Sequence, residues 1–218
     1  MSFKNNKYII IKEAISKDLA KFCNDYFIMK RQVARTMFDT SYISQFTEYF
    51  GVWNDQQVPE TYSHYSDIVM ETLLVKLLPI MEKETELKLN PNYSYARIYK
   101  KGDILHRHKD RFSCEISTTL SLGGDEWPIF LEPNVSQGGI DEKTGKYTPS
   151  KSKGVKVILQ PGDMLVYRGN ELEHWRETFK GENCAQVFLH YNNIKTKGSK
   201  ENIYDRRPHL GLPSSFKR

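Results

Sequence analysis

His108 and Asp110, separated by Lys109, form an H-x-D string. In an extended segment residues i and i+2 face the same way, so an imidazole and a carboxylate reach one point with little strain. His174, in ELEHWRE, follows the later segment DMLVYRG, and a rolled sheet can bring it back beside the first pair. Two imidazoles and one carboxylate fill one face of an octahedron and leave the other face open, a donor set suited to Fe(II). An H-x-D string alone is weak evidence: with six histidines, chance supplies one in roughly one of three such sequences. The context is more specific. The string sits at a strand edge, and the later histidine follows the Pro161-Gly162-Asp163 turn and a strand. His106 shares a face with His108 but has no carboxylate at i+2, so it is expected beside the site at most. His190 alternates with Gln186 and Phe188 and can also face an interior, whereas His64 and His209 look unrelated.

The elements that must position these groups change character along the chain. Residues 1–91 read as a helical flank. After Ser16, a suitable N-cap, Leu19, Phe22, Cys23, Tyr26 and Phe27 recur at helical spacing. A second helix is predicted from about Ser63 to Glu86, kinked or divided at Pro79. The stretch between them, Asp39 to Pro59, is aromatic and irregular, with the composition of a lid or of ordinary packing. From Asn92 the period becomes two: Tyr95, Arg97 and Tyr99 point one way and Ala96 and Ile98 the other. Ile116, Thr118, Leu120 and Leu122 share one face of CEISTTLSLGG. WPIFLEP, VKVILQ, DMLVYRG and CAQVFLHYN complete a set of short strands broken by Gly and Pro turns. This is the pattern of an antiparallel sandwich or barrel over residues 92–193, with helices packed outside it. The loop from Asn134 to Gly154 is polar and long enough to be mobile or functional. Residues 194–218 form a basic tail, expected as a lid, a partner-binding arm or a mobile end.

Composition narrows the class. A chain of 218 residues suits a single domain, and 39% hydrophobic with 27% charged residues excludes a disordered polymer. No apolar run approaches the ~20 residues of a membrane span, and the start resembles neither a signal nor a transit peptide, so a cytoplasmic protein without membrane contact is expected. Cys23, Cys114 and Cys184 are odd in number and widely spaced, which argues against a disulfide framework or a thiolate metal site. The net charge of +5 is small and spread out, and gives weak support to a nucleic-acid partner.

From about Tyr95 to Tyr191 the chain resembles the 2-oxoglutarate/Fe(II)-dependent dioxygenase superfamily, and within it the prolyl 4-hydroxylase-like group. The strings that carry the resemblance are YARIYKKGDILHRHKDR, GGDEWPIFLEP, LQPGDMLVYRGNELEHW and GENCAQVFLHY. It implies a mainly β protein with flanking helices: a double-stranded β-helix (jelly-roll, cupin-like) core packed against N-terminal α-helices. It implies iron held by His108, Asp110 and His174, with 2-oxoglutarate as cosubstrate, O2 as oxidant and ascorbate as an accessory reductant. Decarboxylation of 2-oxoglutarate to succinate and CO2 would drive hydroxylation of a C–H bond.

Tyr99 falls where the family often has a tyrosine on the cosubstrate. The family usually also places an Arg or Lys after the distal His to clamp the second carboxylate, but that position reads Cys184 here. A buried dicarboxylate needs a charge-assisted partner. Arg97, on the Tyr99 face of its strand, is the first candidate, with Arg168, Arg176 and Lys180 as others; Thr119 and Gln186 offer neutral hydrogen bonds. Trp175 and Arg176, beside the distal His, are expected to border the substrate. The prolyl-hydroxylase likeness favours a protein or peptide substrate. A nucleic acid or small molecule acted on by the same fold, and a jelly-roll binding module without redox chemistry, are the alternatives.

Overall fold

In the computed structural model, residues 2–44, 47–141 and 144–217 are described. Parts of the Asp39–Pro59 and Asn134–Gly154 segments and the final Arg218 therefore lie outside the described residues. The chain runs α1 (Phe3–Asn6), β1 (Tyr8–Ile11), α2 (Lys17–Asp39), β2 (Tyr62–Tyr65), α3 (Ile68–Thr85), β3 (Leu89–Lys100), β4 (Leu105–His108) and β5 (Ile116–Gly124). It continues with β6 (Ile129–Leu131), β7 (Gly139–Ile140), β8 (Tyr147–Thr148), β9 (Val155–Val157), β10 (Met164–Tyr167), β11 (His174–Arg176) and β12 (Asn183–Asn193).

Two antiparallel sheets face each other. The larger has the order β1-β10-β5-β12-β3-β2 and the smaller β4-β11-β6-β9. The alternation of side chains sorts the core into layers. Ala96, Ile98, Leu120, Val187 and Leu189 turn outward from the larger sheet onto Phe27, Leu74 and Leu77 of the helices. The opposite residues of the same strands turn inward, where Tyr99, Cys184 and Phe188 meet Leu105 of the smaller sheet. This is the expected double-stranded β-helix with helices on its outer face.

The N-terminal flank is not purely helical. Tyr8-Ile9-Ile10-Ile11 pairs with β10 and becomes one edge of the larger sheet. Residues 62–65 form the other edge, paired with β3, so the second helix starts at Ile68 rather than near Ser63. Its N-cap is Asp67, whose carboxylate accepts from the Met70 amide at 3.1 Å. Ser16 caps α2 as expected, accepting from the Leu19 amide at 3.2 Å. Pro79 does not divide α3, which runs unbroken from Ile68 to Thr85. The carbonyl it leaves without a helical partner belongs to Val75, an exposed residue, where water can take the place of the missing N–H.

The basic C-terminal segment is an ordered strap rather than a mobile tail. Arg207 is buried and pairs with Glu71 at 2.7 Å, and Asn202 donates to Asn192 of β12 at 2.7 Å. The long loop before β9 folds into the β7–β8 hairpin and is tied down on Glu173, which accepts from the Tyr147 hydroxyl at 2.9 Å and the Ser150 amide at 2.9 Å.

Candidate metal and cosubstrate site

β4 and β11 are antiparallel neighbours, and their register places His108 directly opposite His174. The two imidazoles lie with ring centroids 4.2 Å apart. Each is oriented through Nδ1, which must donate because its partner is a carbonyl. His108 Nδ1 meets the His106 carbonyl at 2.8 Å and His174 Nδ1 meets the Leu172 carbonyl at 3.0 Å. That fixes both lone pairs on Nε2, the tautomer a metal requires. Both Nε2 atoms face Asp110 Oδ1, at 3.6 and 3.5 Å. One donor atom from each of the three residues lies within 4.8 Å of the others.

Asp110 is held by residues that sequence reasoning did not single out. Its amide donates to the Gly169 carbonyl at 2.8 Å, and its Oδ2 accepts from the Ser117 hydroxyl at 2.8 Å. His190 Nδ1 stands 3.0 Å from the other side of that hydroxyl. A Cβ at Gly169 would lie 2.3 Å from Asp110 Oδ2, so glycine is needed there for lack of space. Burial works to raise the Asp110 pKa, but when the two histidines are also protonated at Nε2, the positions a metal ion would take, the charge of His174 and hydrogen bonds from both histidines hold it well below the usual carboxylate range. Burial pushes His190 down to about 4, so it is neutral near pH 7. Ser117 shows no signal in sequence beyond an inward position on β5.

A cavity of about 390 Å³ opens over the triad, with Tyr93, Tyr95, Arg97, Tyr167 and Phe188 among its walls. Arg97 lies in it as expected, with four of its five donors already engaged. Its Nε and Nη2 donate to Asp55, Nη2 also to Gln57 at 2.8 Å, and Nη1 to the Tyr99 hydroxyl at 3.3 Å. Asp55 and Gln57 come from the irregular segment before β2, where no periodicity marked them. Gln57 Nε2 also reaches His108 Nε2 at 3.1 Å. Arg97, the first candidate for the cosubstrate carboxylate, thus lines the cavity but is already paired with an internal carboxylate, which a ligand would have to share.

Arg176 is placed differently from its expected role at a substrate groove. It is 1% exposed and points between the sheets. Its Nη1 donates to the Trp127 carbonyl, while Nε and Nη2 have no partner. Thr119 Oγ1 and Gln186 Oε1, on the inward faces of β5 and β12, are likewise buried without a partner. Of the other cations considered, Arg168 pairs with Glu171 at 3.1 Å and Lys180 is exposed. Trp175 does not line the cavity. The preceding residue, His174, points inward, so the Trp175 ring turns outward, stacked on its register partner Phe130 with centroids 5.5 Å apart and capped by the Arg107 guanidinium at 3.4 Å. Trp127 is a packing residue, its Nε1 donating to the Glu177 carbonyl at 2.7 Å.

No protein-family model matches the sequence, and no curated protein does. Solved structures do match. A Pseudomonas putida prolyl-4-hydroxylase superposes with a TM-score of 0.53 at 14% identity, covering 88% of this chain and 95% of that one. The non-haem α-ketoglutarate-dependent epimerase SnoN from nogalamycin biosynthesis gives 0.63 at 11% identity, covering 97% and 91%. EctD from S. alaskensis, with bound Fe, gives 0.57 at 14% identity, covering 88% and 75%. The fold is thus that of the 2-oxoglutarate/Fe-dependent oxygenases.

Proposed function

We propose that this protein is a non-haem Fe(II)- and 2-oxoglutarate-dependent oxygenase. The observation that carries the proposal is the convergence of His108 Nε2, His174 Nε2 and Asp110 Oδ1, with both Nδ1 atoms already committed to carbonyls. Bound iron with 2-oxoglutarate and O2 supplies oxidative decarboxylation of the cosubstrate to succinate and CO2, coupled to oxidation of a substrate C–H bond. The protein's part is to hold the ion on one face, to anchor the cosubstrate and to keep bulk water out with Leu105, Ile129 and Phe188.

The buried polar groups fit a dicarboxylate. Arg176 is a fully buried cation with two orphaned nitrogens, an arrangement that costs several kcal/mol unless an anion completes it. It would take the carboxylate remote from the metal, in place of the cation the family usually has at the position of Cys184. Thr119, whose hydroxyl can donate, is the neutral group still open to a carboxylate, while the Tyr99 hydroxyl is engaged by Arg97.

The proteins that share this fold include an epimerase, a carbocyclase and a prolyl-4-hydroxylase. A peptidyl substrate is accordingly one extension of the proposal and a small molecule another. Among the described residues no helix is long and apolar enough to cross a membrane.

The test is to load the protein with Fe(II) and 2-oxoglutarate without oxygen and to record the weak visible absorption of the iron–cosubstrate complex, then to admit air and assay succinate. The proposal expects the band and slow succinate release, and expects neither with His174→Ala. A protein that binds no 2-oxoglutarate under these conditions is a binding module and not an oxygenase.

A further inference from the structure

Tyr93 and Tyr95 are shared by two cavities. One is the cavity over the triad; the other, of about 470 Å³, is lined also by Arg111, Lys217, Ser63 and Glu48. Both fall in the size range of small-molecule sites, about 300–1,000 Å³. We infer that the second cavity is the substrate compartment of the site, and that it selects a substrate bearing a carboxylate. This rests on the oxygenase reading above.

Position is the first argument. Arg111 directly follows the candidate ligand Asp110, so its guanidinium is tethered beside the triad. The Tyr93 ring stands between the compartments, with the His190 ring 4.5 Å away on the triad side and the Arg111 guanidinium 4.8 Å from its centroid. A substrate whose body lies on Tyr65 and Tyr93, rings 5.1 Å apart, can extend from the second cavity over this divider into the first.

Charge is the second argument. Arg111 and Lys217 both pair with Asp205 Oδ2, at 2.9 and 2.6 Å. That carboxylate also accepts from the Tyr65 hydroxyl at 2.6 Å and the Ser113 hydroxyl at 3.2 Å. Its Oδ2 is therefore fully engaged, while Arg111 has given it only one of five donors. The acid on the lining itself, Glu48, is occupied by the Ser214 hydroxyl at 2.7 Å and the Ser215 amide at 3.4 Å. Arg111 and Lys217 are balanced in formal charge by Asp205 and Glu48, but both acids are engaged with their own donors, so the uncommitted guanidinium donors of Arg111 are the groups left to take a carboxylate by charge-assisted hydrogen bonds. Ser63 Oγ, wholly buried on the same lining, has no partner and offers a second polar contact.

The fold invests in holding these cations. Tyr204, Asp205 and Arg206 are consecutive non-glycine residues with positive φ, at 54°, 53° and 67°. This conformation is disfavoured for L-residues and persists where surroundings enforce it. Here it aims Asp205 at Arg111, so the C-terminal strap both seats Lys217 and orients the residue next to the triad.

The probes are N-acetyl amino acids and N-acetyl pentapeptides, each made as the free acid and as the carboxamide. The readout is succinate release from 2-oxoglutarate above the rate without probe. The inference expects stimulation by free acids and not by their carboxamides, whether the responding acids are single amino acids or peptides. Arg111→Gln and Lys217→Gln should each raise KM for the responding acid by about tenfold, with a smaller change in kcat, and Arg111→Lys should recover part of the loss. Should Arg111→Gln fail to fold, the exposed Lys217 keeps the test open. Carboxamides as active as acids, no response to any acid, or an acid preference that survives both substitutions would overturn it. Failure of the oxygenase reading has its own signature: wild-type protein without the iron–2-oxoglutarate absorption.

Discussion

The Asp55 carboxylate closes on Nε and Nη2 of Arg97 across the mouth of the candidate site, and this pairing decides which arginine is left for a ligand. Burial favours the neutral Asp55 acid, but Arg97 and the Tyr95 hydroxyl override it and keep the group ionised. Both side chains are nearly inaccessible. Removing one partner strands a buried charge, whereas removing both does not. Asp55→Ala should therefore destabilise the protein by about 3–5 kcal/mol in urea unfolding, and the double variant Asp55→Ala/Arg97→Met should recover much of that loss. Additive losses would show that the pair is not coupled.

Arg176 gives the opposite sign. Its Nε and Nη2 are orphaned, so Arg176→Met should raise the thermal midpoint of the protein measured without 2-oxoglutarate. The same variant should weaken 2-oxoglutarate binding to the Mn(II)-loaded protein by about ten- to a hundredfold, the worth of a charge-assisted bidentate contact. Calorimetric titration reads the second effect directly. Unchanged affinity would remove Arg176 from the cosubstrate site.

The support behind Asp110 is equally specific. Ser117→Ala deletes the hydroxyl on Oδ2, and loss of such an outer partner typically costs about 10- to 100-fold in metal affinity. Gly169→Ala should be worse, because its methyl would collide with Asp110 Oδ2 and with the Ser117 hydroxyl, 2.5 Å from the built Cβ. Competitive titration with Co(II) measures both. A Gly169→Ala protein that binds metal like wild type would show that the segment around Asp110 is not fixed.

Asp205 predicts a pH dependence. Burial works against its charge, but hydrogen bonds from Arg111, Lys217 and Tyr65 lower its pKa to about 2. A depressed carboxyl stabilises the fold above its unfolded pKa, near 4, and that contribution fades as pH falls towards 2. The linkage is worth about 2 kcal/mol. Asp205→Asn should lose this stability at pH 7 and show a flatter decline between pH 4 and 2. Parallel pH profiles for the two proteins would exclude the linkage.

The barrel and the triad were legible in sequence because each rests on a short-range rule. Alternation along β3, β5 and β12 reveals inward and outward faces without knowledge of partners, and an H-x-D string brings two donors to one side of a strand. The missed features depend on contacts between distant segments. Ile9–Ile11 reads as an apolar patch and becomes a strand only because β10 offers an edge. Asp55 and Gln57 sit in an aperiodic stretch and acquire meaning from Arg97, far along the chain. Arg97 lies on a strand legible in sequence and Arg176 just beyond one, and only the position of Asp55 separates a satisfied cation from an orphaned one. Trp175 was misplaced because adjacency to His174 puts a side chain on the opposite face of a strand.

The central claim is that His108, Asp110 and His174 grip one ion, and locating that ion tests it most directly. Crystals grown with Fe(II) under nitrogen, measured on both sides of the iron absorption edge, would reveal the metal by anomalous scattering. The account predicts a single strong peak bonded to Nε2 of both histidines and one Asp110 oxygen, absent in crystals of Asp110→Ala. Iron found elsewhere, or none bound while the three side chains keep their positions, would contradict it.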